Sequence, residues 1–170
     1  MKAMTMMMAC AIALTLGAAD ASAAGRVHGR SVTGDGAGDV TARRGSAAVG
    51  PNGGTYRRGA KTTYNADGSI RHDAGFKAVG PNGSTAQSRG SFTKNADGTY
   101  SGQRNTEARG ANGGSYDGST QYANGSGSHT TNATGANGNT YDGETSWTRG
   151  EGVTHSGSCH DAAGNAIECH

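Results

Sequence analysis

Tyr56, Ala60 and Tyr64 alternate with Arg57, Lys61 and Thr63. The same two-residue period carries Ile70, Ala74, Phe76 and Ala78 against Arg71, Asp73 and Lys77, and Ala86 and Phe92 against Gln87, Arg89 and Thr93. This is the period of a β-strand, whose successive side chains point to opposite faces of a sheet. The alternating runs are rich in Thr, Ser, Tyr and Val and are separated by short turn motifs. The pattern predicts an all-β chain, an antiparallel meander of about eight to ten strands built as consecutive β-hairpins.

Two tandem copies set the unit, Gly45–Ala74 and Gly75–Arg104. Each holds a G-P-N-G motif and then an N-A-D-G motif. Both tetrapeptides suit a type I turn closed by a G1 bulge. Asn or Gly opens the turn, Pro or Ala takes the second position, Asp or Asn the third, and Gly accepts the left-handed conformation. The chemistry returns as G-A-N-G at Gly110–Gly113 and Gly135–Gly138, and as D-A-A-G at Asp161–Gly164.

Turns of this geometry fix partners. Tyr64 is expected opposite Ile70, Thr62 opposite His72, and Ala78 opposite Ala86. Ala and aromatic residues then collect on one face, including Ala48, Tyr56, Tyr64, Phe76, Phe92 and Tyr100. Charged and polar residues such as Arg57, Lys61, Arg89 and Gln103 collect on the other. The third unit is shorter, with Gly110 to Gly135 spanning 25 residues where Gly50 to Gly80 spans 30. An odd shortening flips every later side chain unless the turn compensates. Ala123-Asn124-Gly125-Ser126 supplies the compensation as a two-residue type I′ hairpin. Tyr116 is then opposite Ala133, and Ala133 opposite Tyr141, repeating the pairs Ala48–Tyr56 and Ala108–Tyr116. Further on, a bulged turn over Arg149–Val153 would set Trp147 opposite His155.

Composition narrows the architecture. Residues 1–23 read as a secretory signal peptide: Lys2, an apolar run from Met4 to Ala19, and Ala21-Ser22-Ala23 at the cut. Cys10 lies mid-run, which argues against a lipid anchor. The run is too short for a bilayer-spanning helix. The expected destination is a bacterial periplasm, outer-membrane surface or medium. Beyond the cut there is no Leu and no Met, and Gly numbers 31 in the whole chain. So few large apolar groups leave two options, a disordered Gly-rich chain or a sheet held mainly by its backbone ladder over a thin core. The regular faces favour the sheet, open as a single layer or closed as a small up-and-down barrel, with a β-solenoid as the alternative. Residues 24–44 are expected as a flexible lead, residues 45–156 as the hairpin repeat, and residues 157–170 as a terminal hairpin. The net charge of +2 is too weak to imply a nucleic acid.

Candidate chemistry is sparse. Cys159 and Cys169 flank the last turn and share a face, in the simplest register as a diagonal pair. In an exported chain they are expected to form a disulfide. A zinc set with His160 and His170 fails because adjacent strand residues point apart. GDGAGD at Gly34–Asp39 lacks the ligands of a calcium loop. His28, His72, His129 and His155 have no carboxylate at an interpretable spacing. Asp117 and Asp142 occupy equivalent repeat positions on the polar face. No nucleophile stands out, so neither enzymatic activity, nor a metal, nor a cofactor is expected. Tyr56, Tyr64, Tyr100, Tyr116, Tyr141 and Trp147 form a row able to stack on sugars, or to serve as the thin core.

The G-[PA]-N-G-[GSN]-[TS] and N-A-D-G-[ST] turns over roughly residues 45–156 resemble those of small exported proteobacterial proteins with no known activity. The resemblance implies export and repeat architecture, not chemistry. The function expected is that of an exported, non-enzymatic structural or envelope protein, with strand edges open to self-association. A glycan-binding module or a disordered matrix component are the alternatives.

Overall fold

The computed structural model describes residues 24–169. The signal-peptide reading of residues 1–23, with Cys10, lies outside the described residues, as does His170. The described chain is all-β, and none of it forms a helix, let alone one long and apolar enough to cross a membrane. Eleven strands follow one another in sequence order: β1 (Gly25–Gly34), β2 (Val40–Val49), β3 (Thr55–Tyr64), β4 (Ile70–Val79), β5 (Thr85–Lys94), β6 (Tyr100–Arg109), β7 (Ser115–Ala123), β8 (Ser126–Thr134), β9 (Thr140–Thr148), β10 (Gly152–His160) and β11 (Ala166–Ile167). Each pairs antiparallel with its neighbours, and β1 does not meet β11. The sheet is therefore open. Closure into a barrel, and the solenoid, are both excluded for the described residues.

The turns take the expected form. Gly68 N–H donates to the Asn65 carbonyl at 3.0 Å, and Asn65 N–H to the Ser69 carbonyl at 2.9 Å. Gly68 sits at φ +84°, a region that costs an L residue a Cβ clash. The Ser or Thr after the glycine is also explained, because Asn65 Nδ2 donates to Ser69 Oγ and Asn95 Nδ2 to Thr99 Oγ1, each at 2.8 Å. Asp67 Oδ1 accepts the Ser69 N–H at 2.8 Å, and Asp97 Oδ1 accepts the Thr99 N–H at 2.9 Å. Asn82 and Asn137 provide the same acceptor in the sister turns. Asn124 and Gly125, with φ of 49° and 96°, make the two-residue turn that restores the register. Its neighbours tie it down: Asn124 N–H donates to the Tyr100 carbonyl and Arg149 N–H to the Gly125 carbonyl, both at 3.0 Å.

The predicted partners are present: Tyr64 with Ile70, Thr62 with His72, Ala78 with Ala86, Tyr116 with Ala133, and Ala133 with Tyr141. One row of Ala and Tyr crosses the sheet without interruption, from Ala48 through Tyr56, Ala78, Ala86, Ala108, Tyr116 and Ala133 to Tyr141.

Three expectations are corrected. Residues 24–44 are not a flexible lead; they contain β1 and half of β2, paired over ten residues. The signal was hidden because this hairpin carries Arg and His where later ones carry rings, and its turn has a different form. Asp35 Oδ1 accepts the Ala37 and Asp39 N–H groups across a loop of the same length as its neighbours, and no Gly38 N–H bond to the Asp35 carbonyl closes it. Next, Trp147 faces Val153, and His155 faces Thr145. The turn closes earlier than expected, with Glu151 N–H donating to the Thr148 carbonyl at 3.0 Å. The slip is even, so both residues keep their predicted face. Lastly, there is no thin core. Among the described residues no apolar side chain is buried, and Ser88 is the only buried polar one. With no second layer among the described residues, neither face is covered by them, and the backbone ladder rather than apolar burial must carry most of the stability.

Candidate functional site

The register settles which side chains share the aromatic face. All nine aromatic residues lie on it: the six Tyr, Phe76, Phe92 and Trp147. The six residues expected to stack on a ligand are thus coplanar in the sense required, and Tyr122 joins them. It was missed because its position follows from pairing with Gly102 and not from the Ala–Tyr row.

The rings differ in posture along the sheet. Tyr56, Tyr64 and Tyr100 are exposed. Tyr56 stacks on Phe76, with ring centroids 6.0 Å apart, and Phe92 contacts Tyr100 and Tyr122, each at 6.4 Å. Tyr116, Tyr122, Tyr141 and Trp147 are half-buried because they lie down against glycines. Tyr116 covers Gly118, Tyr122 covers Gly102, Trp147 covers Gly127, and Tyr141 covers both Gly143 and Gly157. A methyl group on Gly157 would sit 2.9 Å from the Tyr141 ring. The absence of side chains at these positions lets the rings come down onto the backbone.

Histidines share this face and pair with threonines across strands. Thr62 Oγ1 is 2.8 Å from His72 Nδ1, Thr120 Oγ1 2.8 Å from His129 Nδ1, and Thr145 Oγ1 2.8 Å from His155 Nδ1. His155 Nε2 also lies 3.2 Å from the Tyr141 hydroxyl. His72 was expected opposite Thr62, and the hydrogen bond between them, with its two counterparts, is the addition.

The charge reading needs correction. Charges are not confined to the polar face. Arg26, Arg30, Arg44, Arg58, Lys94 and Arg104 belong to the aromatic face. It is the carboxylates that segregate. Every acidic residue of β1–β10, namely Asp73, Glu107, Asp117, Asp142 and Glu144, lies on the polar face. Counting only apolar positions in the repeat concealed this, although the same parity would have exposed it. The ion pairs found among the described residues, Arg71–Asp73 and Arg109–Asp117, each at 2.8 Å, are both on the polar face.

Cys159 and Cys169 are joined by a disulfide with Cα atoms 5.4 Å apart. In the ladder Cys159 faces Ile167, so the cysteines begin as the expected diagonal pair. β11 ends at Ile167, and the chain beyond it is free of the ladder and able to approach. Among the described residues no cluster of three or more His, Cys, Asp or Glu is arranged to hold a metal ion. Asp67, Asp97 and Asp161 have pKa values lowered by hydrogen bonds from Ser69, Thr99 and Asn165 respectively, all within turns. These shifts belong to turn structure, not to chemistry on either face.

No protein-family model, curated protein or solved structure matches the chain.

Proposed function

We propose that this is an exported, non-enzymatic structural protein of a bacterial envelope or extracellular matrix, whose aromatic face lies along a polysaccharide. The observation that carries the reading is the set of rings resting on glycines across β6–β10 of an open, one-layer sheet. An aromatic ring offers an apolar plane to the C–H face of a sugar, and several such planes in a row suit a chain of sugars. An extended ligand needs a long shallow surface, and an open sheet provides one. His28, His72, His129 and His155 stand on the face opposite the strand carboxylates and form no acid–base pair with them, and of the strand histidines only His160 shares the carboxylates' face.

Titration of the protein with soluble polysaccharides, followed by Trp147 fluorescence, tests the proposal. Saturable change with at least one polymer is expected, and its loss in Tyr141→Ala and Tyr122→Ala. Silence across a broad glycan array would defeat it.

A second reading is favoured by the edges. Among the described residues the outer edge of β1 is unpaired, and β11 covers only Cys159 and His160 of β10. Open edges invite strand addition by another copy, which would extend the sheet into a filament. Concentration-dependent growth in light scattering, without added polymer, would favour this reading.

A further inference from the structure

We infer that the N-terminal end of the aromatic face is a binding site for an acidic polysaccharide, with Arg30, Arg44 and Arg58 receiving its carboxylates. This rests on the polymer-binding reading above and names the chemistry of the polymer.

Four observations converge. First, the six strand cations on this face meet no strand carboxylate on it. Second, Arg30 stands directly opposite Arg44 on adjacent strands. Like charges so placed weaken a sheet. No carboxylate relieves them, and the partners of nearby cations are neutral: Arg58 Nε donates to Ser46 Oγ at 3.1 Å and Arg104 Nη1 to Ser88 Oγ at 2.9 Å. On the polar face, where Arg57 likewise stands opposite Lys77 and Arg43 opposite Lys61, the same chain also sets Arg71 and Arg109 against aspartates, a relief that the aromatic face lacks. Third, Arg26, Arg30, Arg44, Arg58 and Arg104 line one groove of about 1020 Å³, with Ala60 and Ala74 in its wall. Fourth, the row running Arg44, Ala60, Ala74, Gly90, Arg104 has cations at both ends and nothing larger than methyl between them. It crosses four strand spacings, about 19 Å at roughly 4.8 Å each, which is the length of a chain and not of a single small anion.

Exposed guanidinium groups offer paired donors that match the two oxygens of a carboxylate. The methyl and glycine floor lets a sugar ring approach the sheet between them. A nucleic acid fits less well. It carries a phosphate beside every base, so its surfaces interleave rings with cations. Here the face of β7–β9 holds Tyr116, Tyr122, Tyr141 and Trp147 and has no Lys or Arg. At the cationic end, Tyr56 and Phe76 are stacked on each other.

The test is calorimetric titration of the protein, expressed as the full chain, with polygalacturonate, with its fully methyl-esterified form and with poly(dT). The wild type is expected to bind polygalacturonate at least roughly tenfold more tightly than either other polymer, and more weakly as salt rises. The Arg30→Gln/Arg44→Gln variant is expected to lose about tenfold or more of that affinity while keeping its weaker binding to the ester. Circular dichroism checks its fold, and the wild-type comparison of polymers decides the matter even if the variant fails to fold. Equal affinity for the acid and the ester overturns the inference and leaves the polysaccharide reading standing. Tighter binding of poly(dT) overturns it in favour of a nucleic acid. Binding of no polysaccharide, charged or neutral, overturns both.

Discussion

The two ends of the sheet share one backbone pattern and carry opposite surface strategies. At the N-terminal end, β1–β3 present exposed arginines on the aromatic face, and the edge strand is unbraced. At the C-terminal end, β7–β10 present rings laid on glycines, and a disulfide holds the last hairpin. In a protein with a packed core, six cations on the face that gathers the aromatics would be costly to bury. Here no described residue covers that face, so each row is free to vary while the ladder keeps the register. The comparison shows that the repeat specifies geometry through its turns and leaves surface chemistry open.

The largest expected effect lies at the C-terminal end. Replacing both Cys159 and Cys169 by Ser is predicted to cost about 2–3 kcal/mol, in proportion to the short loop closed. The loss is expected in the last hairpin alone. Hydrogen exchange checks it: Ile167 and Asp161 amides, the latter bonded to the Asn165 carbonyl, should lose protection while β2–β8 retain theirs. Uniform loss across the sheet would mean that the two ends are more strongly coupled than the local pairing allows.

Glycine substitution sharpens the contrast next. Gly127→Val forces a side chain under the Trp147 ring and is predicted to destabilise by about 1–3 kcal/mol. A Cβ at Gly29 meets no atom within 4 Å. Gly29→Val is therefore predicted to be neutral or to stabilise by up to about 1 kcal/mol, through the better strand propensity of Val. Thermal melts of the pair should move in opposite directions, and equal destabilisation would sink the claim that rings rest on the glycines of one end only.

A smaller effect follows from the arginines. Arg44→Thr relieves the opposition with Arg30 and is predicted to raise stability by about 0.2–1 kcal/mol at low salt. The gain should fade as salt screens the pair. A fall in melting temperature at low salt would show that Arg44 is structural.

The smallest effect is in the turns and depends on pH. Asp67, Asp97 and Asp161 have folded-state pKa values below the ordinary carboxylate value. Their contribution is fully present above the unfolded pKa, near 4, and is lost as pH falls through the lower folded values. Asn82 and Asn137 make equivalent bonds without titrating. Asp67→Asn together with Asp97→Asn should leave neutral-pH stability nearly unchanged and reduce the acid sensitivity, as read from melts between pH 2 and pH 6.

Most of the fold was legible because the turns are chemically explicit. Pro, Asn, Asp and Gly at fixed offsets fix loop length, loop length fixes parity, and parity fixes faces. The compensating Asn124-Gly125 turn could be read for the same reason. The first hairpin escaped because its strands alternate Arg and His with Gly, Ser and Val, a pattern without apolar rhythm, and because its loop lacks the Gly N–H bond to the first carbonyl that closes the sister turns. The Trp147 partner was missed because Gly150 and Gly152 both allow positive φ, so the sequence permits more than one closure. Openness of the sheet was not legible, since alternation looks the same in a barrel. Of the candidate site, the row of rings was visible from the sequence. The arginines among them were not recognised, although Arg58 sits two residues from Tyr56 and shares its face.

Cross-strand nuclear Overhauser effects, filtered to exclude intermolecular contacts, test the central claim of an open single-layer sheet with one aromatic face. The Ala–Tyr row predicts contacts from Ala48 to Tyr56, Tyr56 to Ala78, Ala108 to Tyr116, Tyr116 to Ala133 and Ala133 to Tyr141, with none between β1 and β10 or β11. Contacts joining β1 to either of those last strands, or the absence of the row, would contradict it.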